Sequence, residues 1–370
     1  MFLGIDVGTS GVKAVLVDDD QQIVAEATSP LVVDRPHPLW SEQSPAMWWS
    51  ATREAVARVR SASRAAFSAV RGIGLSGQMH GATLLGADLH VLRPAILWND
   101  GRSHAECAEL EAREPRSRAI TGNAAMPGFT APKLLWIEHH EPSVFARTAH
   151  VLLPKDWLRL ELSGDLATDP SDASGTLWLD VAKRQWSPEM LAACRMAPGG
   201  VPRIFEGAQP TGTMRRDLAI EWGFSTPPII AAGAGDNAAG AVGVGVVNPG
   251  QALLSLGTSG VVFLVTDRFA PNPRGGVHAF CHCIPDTWHQ MSVMLSAASC
   301  LSWIASATGA RDEAALLEEI EANGSRPSPA LFLPYLSGER TPHNDPKAQG
   351  VLFGLTHHLH GSRNQDEATG

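Results

Sequence analysis

The sequence predicts an α/β protein built as two domains of like design. Three observations predict it. Apolar strand segments alternate with helical ones, a strand–Gly-Thr-Ser-Gly–strand unit occurs twice, and 370 residues suit two domains better than one or three. Hydrophobic residues make up 44% and charged residues 18%, enough for sizeable cores and unlike a disordered chain. Lys and Arg number 29 against 38 Asp and Glu, a net charge of −9, so a duplex-gripping nucleic-acid protein is excluded. The cysteines, five and scattered, argue for a reducing compartment. Neither a membrane-length apolar run nor a basic-then-apolar leader is present, so the expected location is the cytoplasm.

The first element is a short apolar strand, Phe2 to Val7, followed by the turn Gly8-Thr9-Ser10-Gly11. Val12 to Val17 forms the second strand and Ile23 to Ala27, which alternates, the third. This β-meander is neither a Walker loop nor a dinucleotide fingerprint, because both need a helix after the glycines. Ser44-Pro45 reads as an N-cap with Pro at the first helical position, and Trp48, Ala55, Val56 and Val59 share one apolar face. Val70 to Leu75 reads as a buried strand leading into Gln78-Met79-His80. Helices are expected over Ser103–Arg113, Pro132–His140, Lys155–Leu162 and Arg216–Trp222. Pro228 to Ala232 is a further strand, ending in Gly233-Ala234-Gly235-Asp236-Asn237 and a small-residue helix from Ala238 to about Val244.

The first turn returns as Gly257-Thr258-Ser259-Gly260, between apolar strands Ala252–Leu256 and Val261–Val265. The echo places a domain boundary near Gly245 to Gly250. Residues 1–245 then form the first domain, 246–356 a second that looks incomplete, and 357–370 a polar tail expected to be disordered.

Chemistry concentrates at a few positions. Gly8, Thr9, Ser10 and Gly11 offer backbone N–H groups and two hydroxyls, a nest suited to phosphate oxygens. Asp6 just before it could hold Mg²⁺ through water, and Lys13 lies just beyond. An ordinary hairpin turn explains a single copy as well; the second copy, Gly257, Thr258 and Ser259, favours a phosphate clamp. Asp236, at a helix start after a Gly-x-Gly turn, fits a plain N-cap locally as well as a functional carboxylate. Gln78, Met79 and His80 lie at a strand end, where open α/β sheets bind ligands, although a lone His there is often only structural. Cys281-His282-Cys283 has no partner pair at zinc spacing and reads as core.

Taken together these segments resemble the FGGY carbohydrate kinases. Ile5 to Lys13 is similar to the family's first phosphate motif, and Leu256 to Gly260 to the second. Gly77-Gln78-Met79-His80-Gly81 with Trp98-Asn99-Asp100-Gly101-Arg102 is similar to the sugar pocket of the members that phosphorylate xylulose. Leu153 to Leu158, Ser171 to Thr176, Gly235-Asp236-Asn237 and Tyr335 to Pro342 follow in the expected order. The resemblance implies an actin-like ATPase fold, with two ribonuclease-H-like domains around a cleft, and transfer of the γ-phosphoryl of Mg-ATP to D-xylulose. It implies Asp236 as general base, Asp6 as the essential acid of the first phosphate motif, and Met79 with His80, Gln78 and Asn237 at the sugar. It also implies a homodimer. The departure is at the C-terminus: neither the family's long helix after Gly354-Leu355-Thr356 nor its glycine-rich adenosine motif is present, and Gly199-Gly200 and Gly275-Gly276 lie in other places. An inactive sugar-binding remnant, or a kinase of another ketose or polyol, are the alternatives.

Overall fold

The computed structural model describes residues 1–322, 329–345 and 347–356. The expected tail 357–370 therefore lies outside the described residues. The chain forms two compact units. The first comprises Met1–Gln251, Leu264–Pro273 and His278–Gln290; the second comprises Ala252–Phe263, Arg274–Val277 and the chain from Met291 onward. Among the described residues no helix is long and apolar enough to cross a membrane.

The first unit is organised by a seven-stranded sheet. Strands β1 (Phe2–Val7), β2 (Gly11–Val17) and β3 (Ile23–Pro30) form the expected antiparallel meander. Strand β4 (Gly72–Gly77) runs parallel to β1 and begins two residues later than the apolar run suggested. Beyond it lie β6 (Ile229–Ala231), parallel to β4, and β5 (Pro210–Thr213), antiparallel to β6. The short β7 (Ala234–Gly235) extends the parallel pairing along β4.

Period-two alternation sends Leu3, Ile5, Val7, Val12, Ala14 and Leu16 to one face, where all are buried. Helices α1 (Pro45–Ala62) and α3 (Pro154–Ser163) cover this face, bringing in Trp48, Val56, Val59, Trp157 and Leu158. Ser44 precedes α1 as expected, but its hydroxyl makes no capping bond; Pro45 at the first position sets the helix start instead. The other face carries Gly4, Asp6, Lys13, Val15, Gly74 and Ser76 and is hollowed by a concavity of about 440 Å³. Helix α2 (Thr130–His140) lies between α1 and α3 in sequence, and α4 (Asp236–Gly243) follows β7.

In the second unit, the Gly257–Ser259 turn joins strand Ala252–Leu256 to strand Gly260–Thr266, and it lies against the start of α5 (Ser299–Thr308). Thr258 O accepts from Ala297 N at 2.9 Å and Ser299 Oγ at 3.0 Å, and Gly257 O accepts from Ala298 N at 2.9 Å. The turn is thereby fastened to the start of α5. Strands Leu331–Leu333 and Val351–Phe353 pair antiparallel in the same unit.

Candidate active site

Three parallel strand ends bring the principal residues of the first unit to one level. In the sheet register Asp6 lies beside Ser76, and Ala234 lies beside Ser76 from the other side. The chain then leaves β1 into the glycine turn, β4 into Gln78-Met79-His80, and β7 into Asp236. Strand ends are where an open α/β sheet can present backbone and side chains to a ligand without breaking its ladder.

Asp6 is half-buried, and Ser76 Oγ donates to its Oδ1 at 2.7 Å. The neighbouring turn is tight: Gly8 N donates to Gly11 O at 3.0 Å, so that N–H is spent within the turn. Among the described residues the Thr9 and Ser10 N–H groups carry no hydrogen bond, so they are available to an acceptor. A side chain at Gly11 would press a Cβ to 2.9 Å from Ser29 O, which explains the second glycine. The hydroxyl of Thr9, expected at phosphate, turns the other way: it donates to Gln78 Oε1 at 3.0 Å and accepts from Trp98 Nε1 at 2.9 Å. Lys13 also departs from expectation. It faces Asp6 across the β1–β2 pair, but its Nζ is ion-paired with Glu26 at 2.8 Å on the next strand. Both changes arise from sheet neighbours that linear spacing does not reveal.

Asp236 is the first residue of α4, whose N-cap is Gly235, so the helix starts two residues earlier than expected. Gly233, with φ of +80°, makes the bend before it; a Cβ there would stand 2.1 Å from Leu75 O. Asp236 Oδ1 accepts from Asn237 N at 2.7 Å and from Asn237 Nδ2 at 2.9 Å. Asn237, expected at the sugar, thus orients the carboxylate. Desolvation raises the Asp236 carboxyl to about 7, the like charge of Asp6 adds to the rise, and the Asn237 bonds oppose it. Its surface is nevertheless open to solvent, which tempers the desolvation; the upward direction stands on Asp6 as well.

The Gln78-Met79-His80 loop is built tightly. Met79 is buried against Gly235, where a Cβ would meet its Cγ at 3.0 Å. His80 holds a left-handed backbone with φ of +69°, uncommon for a residue with a side chain. Its carbonyl accepts from Lys133 Nζ at 2.8 Å and Thr130 Oγ1 at 3.1 Å, and its Nδ1 pairs with Gly175 O at 2.7 Å. Phe129 meets the ring edge-on, 4.8 Å between centroids. Contacts that over-determine a strained residue are a mark of functional loops.

Sequence reading missed the supports. Lys133 is fully buried in α2, and burial pushes its ammonium well below the usual lysine range. A lone lysine within Ala131 to Ile137, an otherwise apolar run, was the available signal. Lys155, also buried, holds Asp156 at 2.6 Å, Asp169 at 3.0 Å and Asp172 at 3.2 Å. Asp100 and Arg102 are partners of each other rather than ligands on display, with Asp100 Oδ2 also accepting from Ser41 N at 2.6 Å. Cys281 is buried, its thiol 3.4 Å from Val181 O.

Comparison with known proteins gives a consistent picture. Residues 1–243 match the N-terminal domain of the FGGY family of carbohydrate kinases, and residues 252–363 its C-terminal domain. The chain is 56% identical to the xylulose kinase of Escherichia coli K12 over 357 residues, 96% of this chain and 73% of the relative. With the xylulose kinase of Bacillus subtilis it shares 38% over 95% of this chain and 71% of the relative. Among solved structures, a xylulose kinase from Rhodospirillum rubrum superposes with a TM-score of 0.90 at 30% identity, covering 97% of this chain and 74% of that one.

Proposed function

Because the chain belongs to the FGGY family of carbohydrate kinases, with its two-domain actin-like fold, we propose that it transfers the γ-phosphoryl group of ATP to the 5-hydroxyl of D-xylulose. The observation that carries this reading is the convergence of Asp6, the Gln78–His80 loop and Asp236 at neighbouring strand ends. Phosphoryl transfer needs alignment and charge stabilisation more than covalent help. Asp236 accepts the hydroxyl proton: raised towards neutrality, its carboxylate is a stronger base than an ordinary aspartate. Asn237 holds it in orientation. Met79 and His80 shape the sugar site from a backbone fixed by Lys133 and Thr130.

The N–H groups of Thr9 and Ser10 serve a phosphate oxygen, and Gly257 to Ser259 forms the second phosphate-binding turn, in the second unit. Asp6 is a half-open oxygen donor of the kind a hard cation takes. Mg²⁺ held there through water would neutralise phosphate charge. All five cysteines are unpaired, in keeping with the cytoplasm, where ATP is available.

The test is xylulose-dependent ADP release by the purified chain with Mg-ATP, beside calorimetric titration with D-xylulose. Turnover supports the kinase. Sugar binding with no turnover would leave a sugar-binding chain, and no binding would overturn the assignment of the loop.

A further inference from the structure

Gln43 lies outside both segments assigned above, yet it touches each of them. It is buried, just ahead of α1, and its side-chain amide makes four hydrogen bonds. Its Oε1 accepts from Trp48 Nε1 at 2.9 Å and from Gln78 Nε2 at 3.0 Å. Its Nε2 donates to Thr9 O at 2.7 Å and Val32 O at 3.2 Å. Gln78 in turn accepts from the Thr9 hydroxyl, which accepts from Trp98 Nε1.

The direction of every bond in this chain is fixed by its ends. An indole N–H only donates and a backbone carbonyl only accepts. Trp48 therefore demands the oxygen of Gln43, leaving its nitrogen for the carbonyls of Thr9 and Val32. Gln78 must then present nitrogen to Gln43 and oxygen to Thr9, so the Thr9 proton points at Gln78 and its lone pair at Trp98. No amide can flip without breaking bonds on both sides. Trp48 at one end is fully buried, whereas Trp98 at the other is 41% exposed.

We infer that Gln43 is a positioning residue that couples the sugar loop to the phosphate turn, through a directed relay Trp48–Gln43–Gln78–Thr9–Trp98. The names of the two ends rest on the function proposed above; the wiring does not. A sugar hydroxyl that engages Gln78 or Trp98 changes the hydrogen-bond partners of Thr9. Gln43, bonded to both Gln78 and the Thr9 carbonyl, transmits that change to the backbone of the turn. Sugar occupancy is thereby felt where phosphate is to bind.

The indole N–H signals of ¹⁵N-labelled protein read the relay directly, with Trp48→Phe and Trp98→Phe identifying the two resonances. Gln43→Leu should shift the Trp48 signal by contact and the Trp98 signal by transmission, since Gln43 is linked to Trp98 through Gln78 and Thr9. Thr9→Val should likewise move Trp48 as well as Trp98. In the parent, D-xylulose should move both; in Gln43→Leu it should move Trp98 alone and bind about tenfold more weakly, the loss expected when buried partners go unsatisfied. Gln43→Glu keeps the acceptor for Trp48 and Gln78 but removes the donor to Thr9 O, so it gives the same answer if the leucine variant does not fold. An unmoved Trp98 signal in both variants would overturn the relay. Signals that respond to the substitutions but not to D-xylulose would overturn the sugar coupling and the loop assignment while leaving the wiring intact.

Discussion

The backbone N–H of Gly235 donates to Ser171 Oγ at 3.1 Å, and Ser171 Oγ donates in turn to Asp169 Oδ2 at 2.5 Å. Asp169 is held by Lys155, so the residue before Asp236 hangs from a buried charge cluster. That cluster sets three carboxylates around one ammonium, with Arg159 nearby donating to Ala232 O at 2.6 Å. Burial pushes Asp172 well above the ordinary aspartate range; Lys155 opposes the rise, and the charges of Asp156 and Asp169 add to it.

Lys155→Met should therefore destabilise the chain severely, by about 3–5 kcal/mol, because it strands buried carboxylates rather than removing a pair. The sign with pH follows from which group loses its partner. Without the ammonium, the folded carboxylates hold their protons to higher pH than unfolded ones, so folding loses stability as pH rises above about 4. Urea unfolding of parent and variant at pH 5 and pH 8 checks this. A deficit equal at both pH values would mean that Lys155 acts by packing.

Lys133→Met removes the donor that holds the carbonyls of His80 at 2.8 Å and Gly128 at 2.7 Å. The left-handed His80 backbone then loses one of the two donors that hold its carbonyl. D-xylulose affinity should fall about tenfold, the equivalent of about 1.4 kcal/mol, with the Asp236 chemistry unaltered at saturating sugar. Titration calorimetry and the separate values of KM and kcat test it: an unchanged KM would remove Lys133 from the loop's support.

Much of this was legible in the sequence, and what was not has a common cause. The meander and both glycine turns followed from alternation, because period two decides which side chains a strand buries. The start of α4 was missed by two residues because Gly235, not Asp236, makes the helical transition, and element ends are the least determined part of any pattern. Thr9 and Lys13 were placed by proximity in sequence, whereas their partners are Gln78 in the loop after β4 and Glu26 on β3. Lys133, Lys155 and Gln43 act through bonds to distant backbone and side chains, which no local period encodes.

Asp236→Asn preserves shape and most hydrogen bonding while abolishing the base. Turnover should fall by about 10²–10⁴-fold, and the parent's kcat/KM should climb as pH rises through about 7, where the Asp236 carboxyl ionises. Stability should move oppositely. A carboxyl raised in the folded state holds its proton there after the unfolded chain has released it, so the parent loses stability from about pH 4 upward. The asparagine variant escapes that loss and should melt higher than the parent at pH 8, with little difference at pH 4. Equal melting temperatures at both pH values would mean that the carboxyl is not perturbed by folding.

Gly175→Ala offers the most selective probe of the sugar loop. Gly175 lies in right-handed helical backbone with φ of −73°, so alanine meets no conformational penalty there. Its new Cβ would instead stand 2.5 Å from His80 Nδ1 and 3.1 Å from the Met79 Cε. Both are side chains of the loop proposed to bind D-xylulose, and the first is also the group bonded to Gly175 O. Overpacking of this kind costs about 1–3 kcal/mol, and here it acts by pushing His80 off its acceptor. Sugar affinity should drop by about tenfold or more while Asp6 and the phosphate turn, on and after the neighbouring strand β1, stay in place. Calorimetric titration with D-xylulose, set beside the melting temperature, separates the outcomes. A large loss of affinity with a modest shift in melting ties His80 and Met79 to the sugar, and unchanged affinity would detach them from it.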